Sequence, residues 1–422
     1  MVSIVMPCYN KGLYIGEMLE SIINQDWDDI ELILVNDGST DNTSEVIESY
    51  IPRIKARGYK LRITDQANAG CRAAVKTGLA QVTGDYLCII DPDDVLSPQY
   101  VSAMAGWLSR RPEYDFVSCD SATIENLDGI DVIRPFYSHG LDGAGTLTPE
   151  YYLTHLYFKA TWNYMIRKLY FDRCRILDMF ETSGRGSYEP PVMIPLSVNK
   201  GRMKHFSAPL YFYRINDGGL SQTRNLAQAD AYWTDYHQTI EAALSRIDTI
   251  SEAERSRLSD ISAFYRLKIL IQLSIYYNEP QNTARFIEEL SALTKNQIPK
   301  PNKGMEIVFG YAAELFLLRR EPEYETPEGR VIGCGSKGKA ASKLLPLLKG
   351  TAFEPDMLWD AQSGFQDFQH LTPTDTILIL PTKQQAVDEI KTALKGARVQ
   401  QVLGNEDIYK ILAREYLAAG VV

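Results

Sequence analysis

Ile30-Glu31-Leu32-Ile33-Leu34-Val35-Asn36-Asp37-Gly38-Ser39-Thr40-Asp41 is a largely apolar run that stops at a polar turn. Its length and β-branched content predict a strand, and near-continuous apolarity predicts burial on both faces. The same strand-then-turn pattern occurs twice more. Residues 2–6 run into Pro7-Cys8-Tyr9-Asn10, and residues 86–90 run into Asp91-Pro92-Asp93-Asp94. Further short strands are predicted over 61–63 and 116–119. Between them lie segments with helical spacing, one carrying Leu13, Ile15, Met18, Leu19, Ile22 and Ile23, another Val46, Ile47, Tyr50, Ile51 and Ile54. Strands alternating with amphipathic helices predict an α/β domain built on a mostly parallel sheet.

Three polar turns at the C-terminal ends of strands in one sheet occupy the edge where open α/β folds bind ligands. Any one of them alone reads as an ordinary turn with a cap. Together they point to a site. Asp91, Asp93 and Asp94 place three carboxylates within four residues, which repel one another unless a cation sits between them. Hard oxygen ligands suit Mg²⁺ or Mn²⁺, which can bridge to phosphate oxygens and neutralise a diphosphate leaving group. Asp37 could accept a hydrogen bond from a base, and Tyr9 could stack on one. This half of the chain has no glycine-rich phosphate loop, so the metal would take that role.

Residues 1–225 resemble the family 2 glycosyltransferases of GT-A fold. The resemblance rests on Pro7-x-Tyr9-Asn10, Asn36-Asp37-Gly38-Ser39-Thr40-Asp41, Asn68-x-Gly70, Gly84-Asp85-Tyr86, Asp91-Pro92-Asp93-Asp94, Met165-Ile166-Arg167-Lys168 and Pro209-Leu210-Tyr211-Phe212-Tyr213-Arg214, in the family's order. It implies an inverting transferase that uses a nucleoside-diphosphate sugar, often UDP-linked, and delivers it to a polysaccharide or glycolipid in bacterial surface-glycan synthesis. Donor-binding residues are then Pro7, Tyr9, Asn10, Asp37, Asn68, Lys76, Asp91, Asp93 and Asp94, with Asp91, Asp93 and Asn216 at the metal. The resemblance puts Pro190 where the family's catalytic Asp stands, and Asn216 where many members have His. Glu189 is the carboxylate left to act as general base, since any carboxylate poised at the acceptor hydroxyl can do so. Because it precedes Pro190, its backbone is expected to be extended. Arg72 and Lys76 follow the Asn68 turn and could reach a diphosphate, a solvated helix face being the competing reading. Trp162 is a candidate aromatic platform for a sugar ring.

Strands at 203–206 and 210–213 complete this part, and Ser97-Pro98 and Thr148-Pro149 read as helix starts. Residues 226–328 show helical periodicity and then a Pro-rich linker, which predicts a helical block of four or five helices. In 329–422 the strand–helix alternation returns, with strands at 331–332, 357–359, 377–380 and 399–403 and helices over 337–348, 384–395 and 407–418. Gly333-x-Gly335-x-x-Gly338 follows the first of these strands and Asp360 ends the second, the arrangement of a dinucleotide-binding loop. Four strands make about half of a full dinucleotide fold. A small Rossmann-like α/β domain is therefore expected, with a nucleotide or an interface role at its loop.

The chain has 422 residues, 45% hydrophobic and 23% charged, which excludes disordered, collagenous and coiled-coil classes. Its 54 acids exceed its 44 bases, so a general nucleic-acid binder is not expected. Six scattered cysteines without a CxxC pair suit a reducing compartment. Neither a signal peptide nor an apolar span of about 18 residues is evident, so a cytoplasmic location is expected, with peripheral association at the inner membrane face as an option. Apolar faces of the helical block could pair two chains as a homodimer. Two competing functions stand beside the transferase: a nucleotide-sugar-binding partner subunit without turnover, and an NAD-dependent oxidoreductase run from the C-terminal domain. No hydride-transfer acid–base set supports the latter.

Overall fold

The computed structural model describes residues 1–127, 130–136, 144–154, 160–180, 186–216 and 225–295, together with parts of 307–413 that include a second sheet. The chain packs as two compact units, Met1–Tyr265 and Arg266–Val422.

The first unit is α/β. It begins β1 (Val2–Cys8), α1 (Ile15–Ile23), β2 (Ile30–Asn36), α2 (Thr43–Ala56), β3 (Lys60–Asp65), α3 (Cys71–Leu79), β4 (Tyr86–Ile89), β5 (Val95–Leu96) and α4 (Tyr100–Ser109). It continues with β6 (Phe116–Leu127), β7 (Ile130–Phe136), β8 (Ala144–Thr146), α5 (Pro149–Thr154), β9 (Tyr164–Arg167), α6 (Lys168–Arg173), α7 (Glu189–Val198), β10 (Arg202–Ile215) and α8 (Leu226–Ser245). The sheet order is β3-β2-β1-β4-β9-β6-β10-β5, with β7 on β6 and β8 on β10. β1, β2, β3 and β4 are mutually parallel, and β9 runs antiparallel to both β4 and β6.

Burial explains the apolar runs. Every residue of β1 and β2 is buried. Alternate side chains serve two layers, as the strand's two-residue period requires. Val2, Ile4, Met6, Leu32 and Leu34 join Ile15, Met18, Leu19 and Ile22 of α1 and Tyr100, Val101 and Met104 of α4 in one core. Val5 and Val35 face α3, which lies so close that a Cβ at Gly78 would fall 2.5 Å from Val5 Cγ1. Because β2, β1 and β4 are neighbours, their C-terminal turns adjoin.

Four readings of the sequence need correction. Residues 203–206 and 210–213 belong to one strand, β10, whose register against β6 shifts around Pro209. A bulge accommodates the missing N–H there without ending the strand. The helix after Ser97-Pro98 opens two residues later, at Tyr100, because Ser97 caps the preceding turn through Gln99 N and Tyr100 N. The short strands β5, β7 and β8 carry no clear periodic signal and were not foreseen. Glu189 is helical, not extended: it is the first residue of α7, with Pro190 and Pro191 in the first turn. The first turn of a helix needs no N–H donors, so the prolines fit there and override the bias on their predecessor.

The second unit holds the end of α9 (Glu252–Tyr276), α10 (Pro280–Leu293) and a four-stranded parallel sheet. Its strands β11 (Val331–Cys334), β12 (Met357–Trp359), β13 (Thr376–Ile379) and β14 (Gln401–Leu403) are ordered β12-β11-β13-β14. Gly333 lies in β11, where a Cβ would sit 2.7 Å from Leu358 Cδ2. Gly335, Gly338 and Asp360 lie outside the described residues, as do most of the helices expected over 337–348 and 384–395. Among the described residues no helix is long and apolar enough to cross a membrane.

Candidate active site

The turns after β1 and β2 are stitched together. Asn10 takes a left-handed conformation (φ 50°), its N–H donates to Ser39 Oγ at 3.1 Å, and its Oδ1 accepts from Thr40 N at 2.8 Å. Pro7 is buried within β1, whereas Tyr9 is 45% exposed at the mouth. Asp37 is buried. Its carboxylate accepts from Gln66 Nε2 (2.8 Å), Ala69 N (2.9 Å) and Gly70 N (2.8 Å), so it organises the loop that presents the exposed Asn68. Gly38 is required where it stands: φ is +70°, and a Cβ would lie 2.8 Å from Asn68 N. Lys76 reaches Phe180 O at 3.2 Å and Arg72 is buried, so neither is on a solvated helix face.

The Asp91–Asp94 turn is held from several sides. The Tyr211 hydroxyl accepts from Asp91 N (3.3 Å) and donates to Asp94 Oδ2 (2.5 Å), while Arg214 N donates to Asp94 Oδ1 (2.8 Å). Asp94 is thus turned inward, 1% exposed, as the brace of the turn. Burial first, then the charges of Asp91 and Asp93, push its carboxyl well up. Asp93 Oδ2 accepts from Lys11 Nζ at 2.5 Å and from Asn216 Nδ2 at 2.8 Å. Asp91 Oδ1 accepts from the Tyr188 hydroxyl at 3.0 Å. Burial and the neighbouring Asp93 lift the Asp91 carboxyl to about 6. Lys11 was not singled out in the sequence. The signal was there: it follows Tyr9-Asn10 directly, in a stretch poor in bases.

Among the described residues no three His, Cys, Asp or Glu side chains converge as a complete metal cage. Asp91 and Asp93 nevertheless fit a shared divalent cation. They are hard oxygen donors whose mutual repulsion lifts Asp91, and a cation, the Lys11 ammonium, already rests on Asp93. Asn216 is in place beside Asp93, with its amide N–H directed at that carboxylate.

Glu189 opens α7 one residue after Tyr188, whose hydroxyl bonds Asp91, so this carboxylate lies within electrostatic reach of the acidic turn. Burial, with the charge of Asp91 adding to it, pushes the Glu189 carboxyl up to about 7, while the guanidinium of Arg72 pulls the other way. Its Oε2 is buried without a hydrogen-bond partner among the described residues. Glu189 in turn raises the hydroxyls of Tyr152, Tyr188, Tyr232 and Tyr236, all of them governed mainly by burial. A half-buried Cys71 feels Asp91, Glu189, Asp37 and Lys11 at once, which brings three sequence-selected carboxylates and Lys11 together around the N-terminus of α3. Trp162 is buried and stacks on Tyr211 (centroids 4.3 Å apart) and Tyr213 (5.8 Å), so it packs behind the site and is no open platform. His205 is also a packing residue, buried between Ser118 Oγ (2.9 Å) and Asp120 Oδ1 (3.0 Å).

Residues 3–174 match glycosyl transferase family 2. That segment is a family 2 glycosyltransferase domain. The glycosyltransferase domain's relatives agree. An uncharacterized glycosyltransferase of Bacillus subtilis, EpsJ, is 31% identical over 232 residues, 53% of this chain and 63% of its own length. The minor teichoic acid biosynthesis protein GgaB of B. subtilis is 27% identical over 259 residues, 60% of this chain and 27% of its own length. The chain thus spans less than two thirds of the length of these relatives. In fold, it is similar to residues 1–349 of S. aureus TarS, solved in complex with UDP-GlcNAc, with a TM-score of 0.51 at 15% identity over 78% of this chain and 95% of that one. The mixed sheet is accordingly of GT-A type. Asp91, Asp93 and Lys11 lie within the matched segment, whereas Glu189, Asn216 and α8 lie beyond it.

Proposed function

We propose that this chain is an inverting glycosyltransferase that moves a sugar from a UDP-linked donor to a glycan or glycolipid acceptor in bacterial surface-glycan synthesis. The observation that carries the reading is the Tyr188 bridge. It ties the residue before Glu189 to Asp91, and the charge of Asp91 helps raise the Glu189 carboxyl, which supports a base acting beside the acidic turn of the matched segment. GgaB's role in teichoic acid synthesis and the UDP-GlcNAc complex of TarS support the acceptor and donor classes.

In this reading Tyr9 stacks on the base and the Asp37-braced loop carries Asn68 to the nucleoside. Asp91 and Asp93, with Asn216, would hold a Mn²⁺ or Mg²⁺ ion, which when bound supplies Lewis-acid neutralisation of the leaving diphosphate. Asp94 stays inside and keeps the turn rigid. The acceptor hydroxyl attacks the anomeric carbon from the face opposite the diphosphate. The new C–O bond forms as the old one breaks, the electron pair leaves with UDP, and Glu189 takes the hydroxyl proton. A carboxyl titrating near neutrality is matched to that task. The glycine-rich sequence Gly333-x-Gly335-x-x-Gly338 would serve nucleotide binding or interface formation.

The test is a panel of UDP-glucose, UDP-galactose, UDP-GlcNAc, UDP-GalNAc and UDP-glucuronic acid with Mn²⁺, read as UDP release with and without oligosaccharide acceptors. Saturable release from one member supports the transferase. Donor binding without release under any condition would favour a binding subunit. NAD binding accompanied by turnover of an alcohol would favour the oxidoreductase.

A further inference from the structure

We infer that Arg72 is the positioning residue of the Glu189 segment, and that α8, which follows the matched family region, is through Arg72 a working part of the active site. The inference rests on the reading of Glu189 as general base.

Arg72 is the second residue of α3 and is 4% exposed. A buried guanidinium is tolerated only where acceptors meet its fixed fork of donors. Three do so. Nε donates to Ser187 O at 3.1 Å, and Nη2 donates to Asp235 Oδ2 at 3.1 Å and to Thr239 Oγ1 at 2.7 Å. The Thr239 hydroxyl donates onward to Asp235 O at 2.7 Å, which leaves its oxygen oriented to accept from Arg72. Asp235 and Thr239 both belong to α8. Ser187 stands two residues before Glu189.

The segment is therefore clamped at successive residues. The Ser187 carbonyl goes to Arg72, while the Ser187 side chain bonds Tyr232 of α8. The Tyr188 hydroxyl goes to Asp91. Glu189 comes next, as the start of α7. A second observation shows that the approach of α8 is built in: a Cβ at Gly186 would lie 1.6 Å from Asp235 Oδ2. Only glycine leaves room for that carboxylate to reach Arg72.

The groups within the field of Glu189 include Asp91 from the acidic turn, Cys71 and Arg72 from α3, Tyr152 from α5, its neighbour Tyr188, and Tyr232 and Tyr236 from α8. Of these, Arg72 is the one that combines a favourable charge with a bond to the chain that carries the base. Losing it leaves Glu189 in place chemically but unfixed in direction. Small misplacements of a reacting group are costly, since proximity is a large part of catalysis.

The test is a double-mutant cycle on the UDP-sugar of the panel with the fastest UDP release, with Arg72→Lys, Asp235→Asn and Glu189→Gln alone and in pairs. Arg72→Lys is expected to lower kcat about tenfold with donor KM changed less than about twofold, and to cost less than about twofold once Glu189 is Gln. Asp235→Asn changes a half-exposed side chain, keeps the cycle readable if Arg72→Lys fails to fold, and is expected to show the same loss of effect in the Glu189→Gln background. Losses that add in full, or that fall on donor KM, overturn the inference. Full turnover in Glu189→Gln alone overturns the base reading and this inference with it. A fall in that variant with additive partners overturns the inference alone.

Discussion

The Tyr188 hydroxyl lies 3.0 Å from Asp91 Oδ1, and the residue that follows Tyr188 is Glu189. In the proposed reading one tyrosine thus couples the side that would meet a diphosphate to the side that would meet an acceptor. It also sets two half-buried carboxyls, pushed up to about 6 and about 7, within each other's field.

Glu189→Gln is expected to lower kcat by about 10²–10⁴-fold with donor affinity nearly unchanged, the usual cost of a lost general base. In the intact protein kcat should fall as pH drops below about 7, as Glu189 takes up its proton. A kcat profile flat between pH 5.5 and 8 would refute the assignment. The sign for stability is opposite. A carboxyl raised in the folded state favours the protonated form, so its burial costs stability as pH rises from the ordinary carboxylate range through about 7. Glu189→Gln should therefore be more stable than the parent at pH 8 and show little difference at pH 4, by thermal melts at both pH values.

Lys11 occupies Asp93 as a resident cation. Its removal in Lys11→Met should strengthen Mn²⁺ binding by up to about tenfold, because a competing positive charge near the site is gone. Calorimetric titration checks this, and unchanged or weaker metal binding would count against a cation site at Asp93. In Asp93→Ala, UDP binding should become equal in Mn²⁺ and in chelator.

Tyr211→Phe removes one hydroxyl that serves both Asp91 N and the buried Asp94. Leaving a buried carboxyl short of a donor should cost about 1–3 kcal/mol. Urea unfolding should show a lower midpoint at unchanged slope, and a loss below about 0.5 kcal/mol would mean the brace is dispensable.

Gly38→Ala places a side chain at φ +70° against Asn68 N. The strain should cost about 1–2 kcal/mol or more and displace the Asp37-braced loop. Donor KM should rise more than kcat falls. The reverse pattern would remove this loop from donor binding.

Much of this site was legible because it is local. Each of the three turns is set by the few residues after a buried strand, and parallel neighbours bring those turns together, so Tyr9, Asp37, Asp91 and Asp93 could be chosen from the sequence. Other contacts depend on side chains that meet across long stretches of chain. Lys11 meets Asp93 across 82 positions and Arg72 meets Asp235 across 163; the place of Lys11 beside Tyr9-Asn10 marks it as a candidate, but no local pattern encodes either partner. Glu189 is a candidate through the resemblance that sets Pro190 at the catalytic Asp position, but its backbone is helical where an extended one is expected, because a bias on the residue before proline cannot tell a loop from the first turn of a helix. Trp162 was misread for a related reason: an aromatic near a site is as useful to packing as to a ligand, and only its stack on Tyr211 and Tyr213 tells the two apart.

The strand β10 has a consequence in time. Just after Asp94, Val95 and Leu96 pair with Phe212 and Tyr211 of β10, and just before Asp91, Ile90 N bonds Val5 O. The acidic turn is therefore anchored at both ends in the central sheet and at its middle by Tyr211 and Arg214. Amides fastened in this way exchange with solvent only when the surrounding sheet opens. The turn should therefore stay fixed while other segments move, and any slow gating of the proposed donor site is expected on segments other than this one.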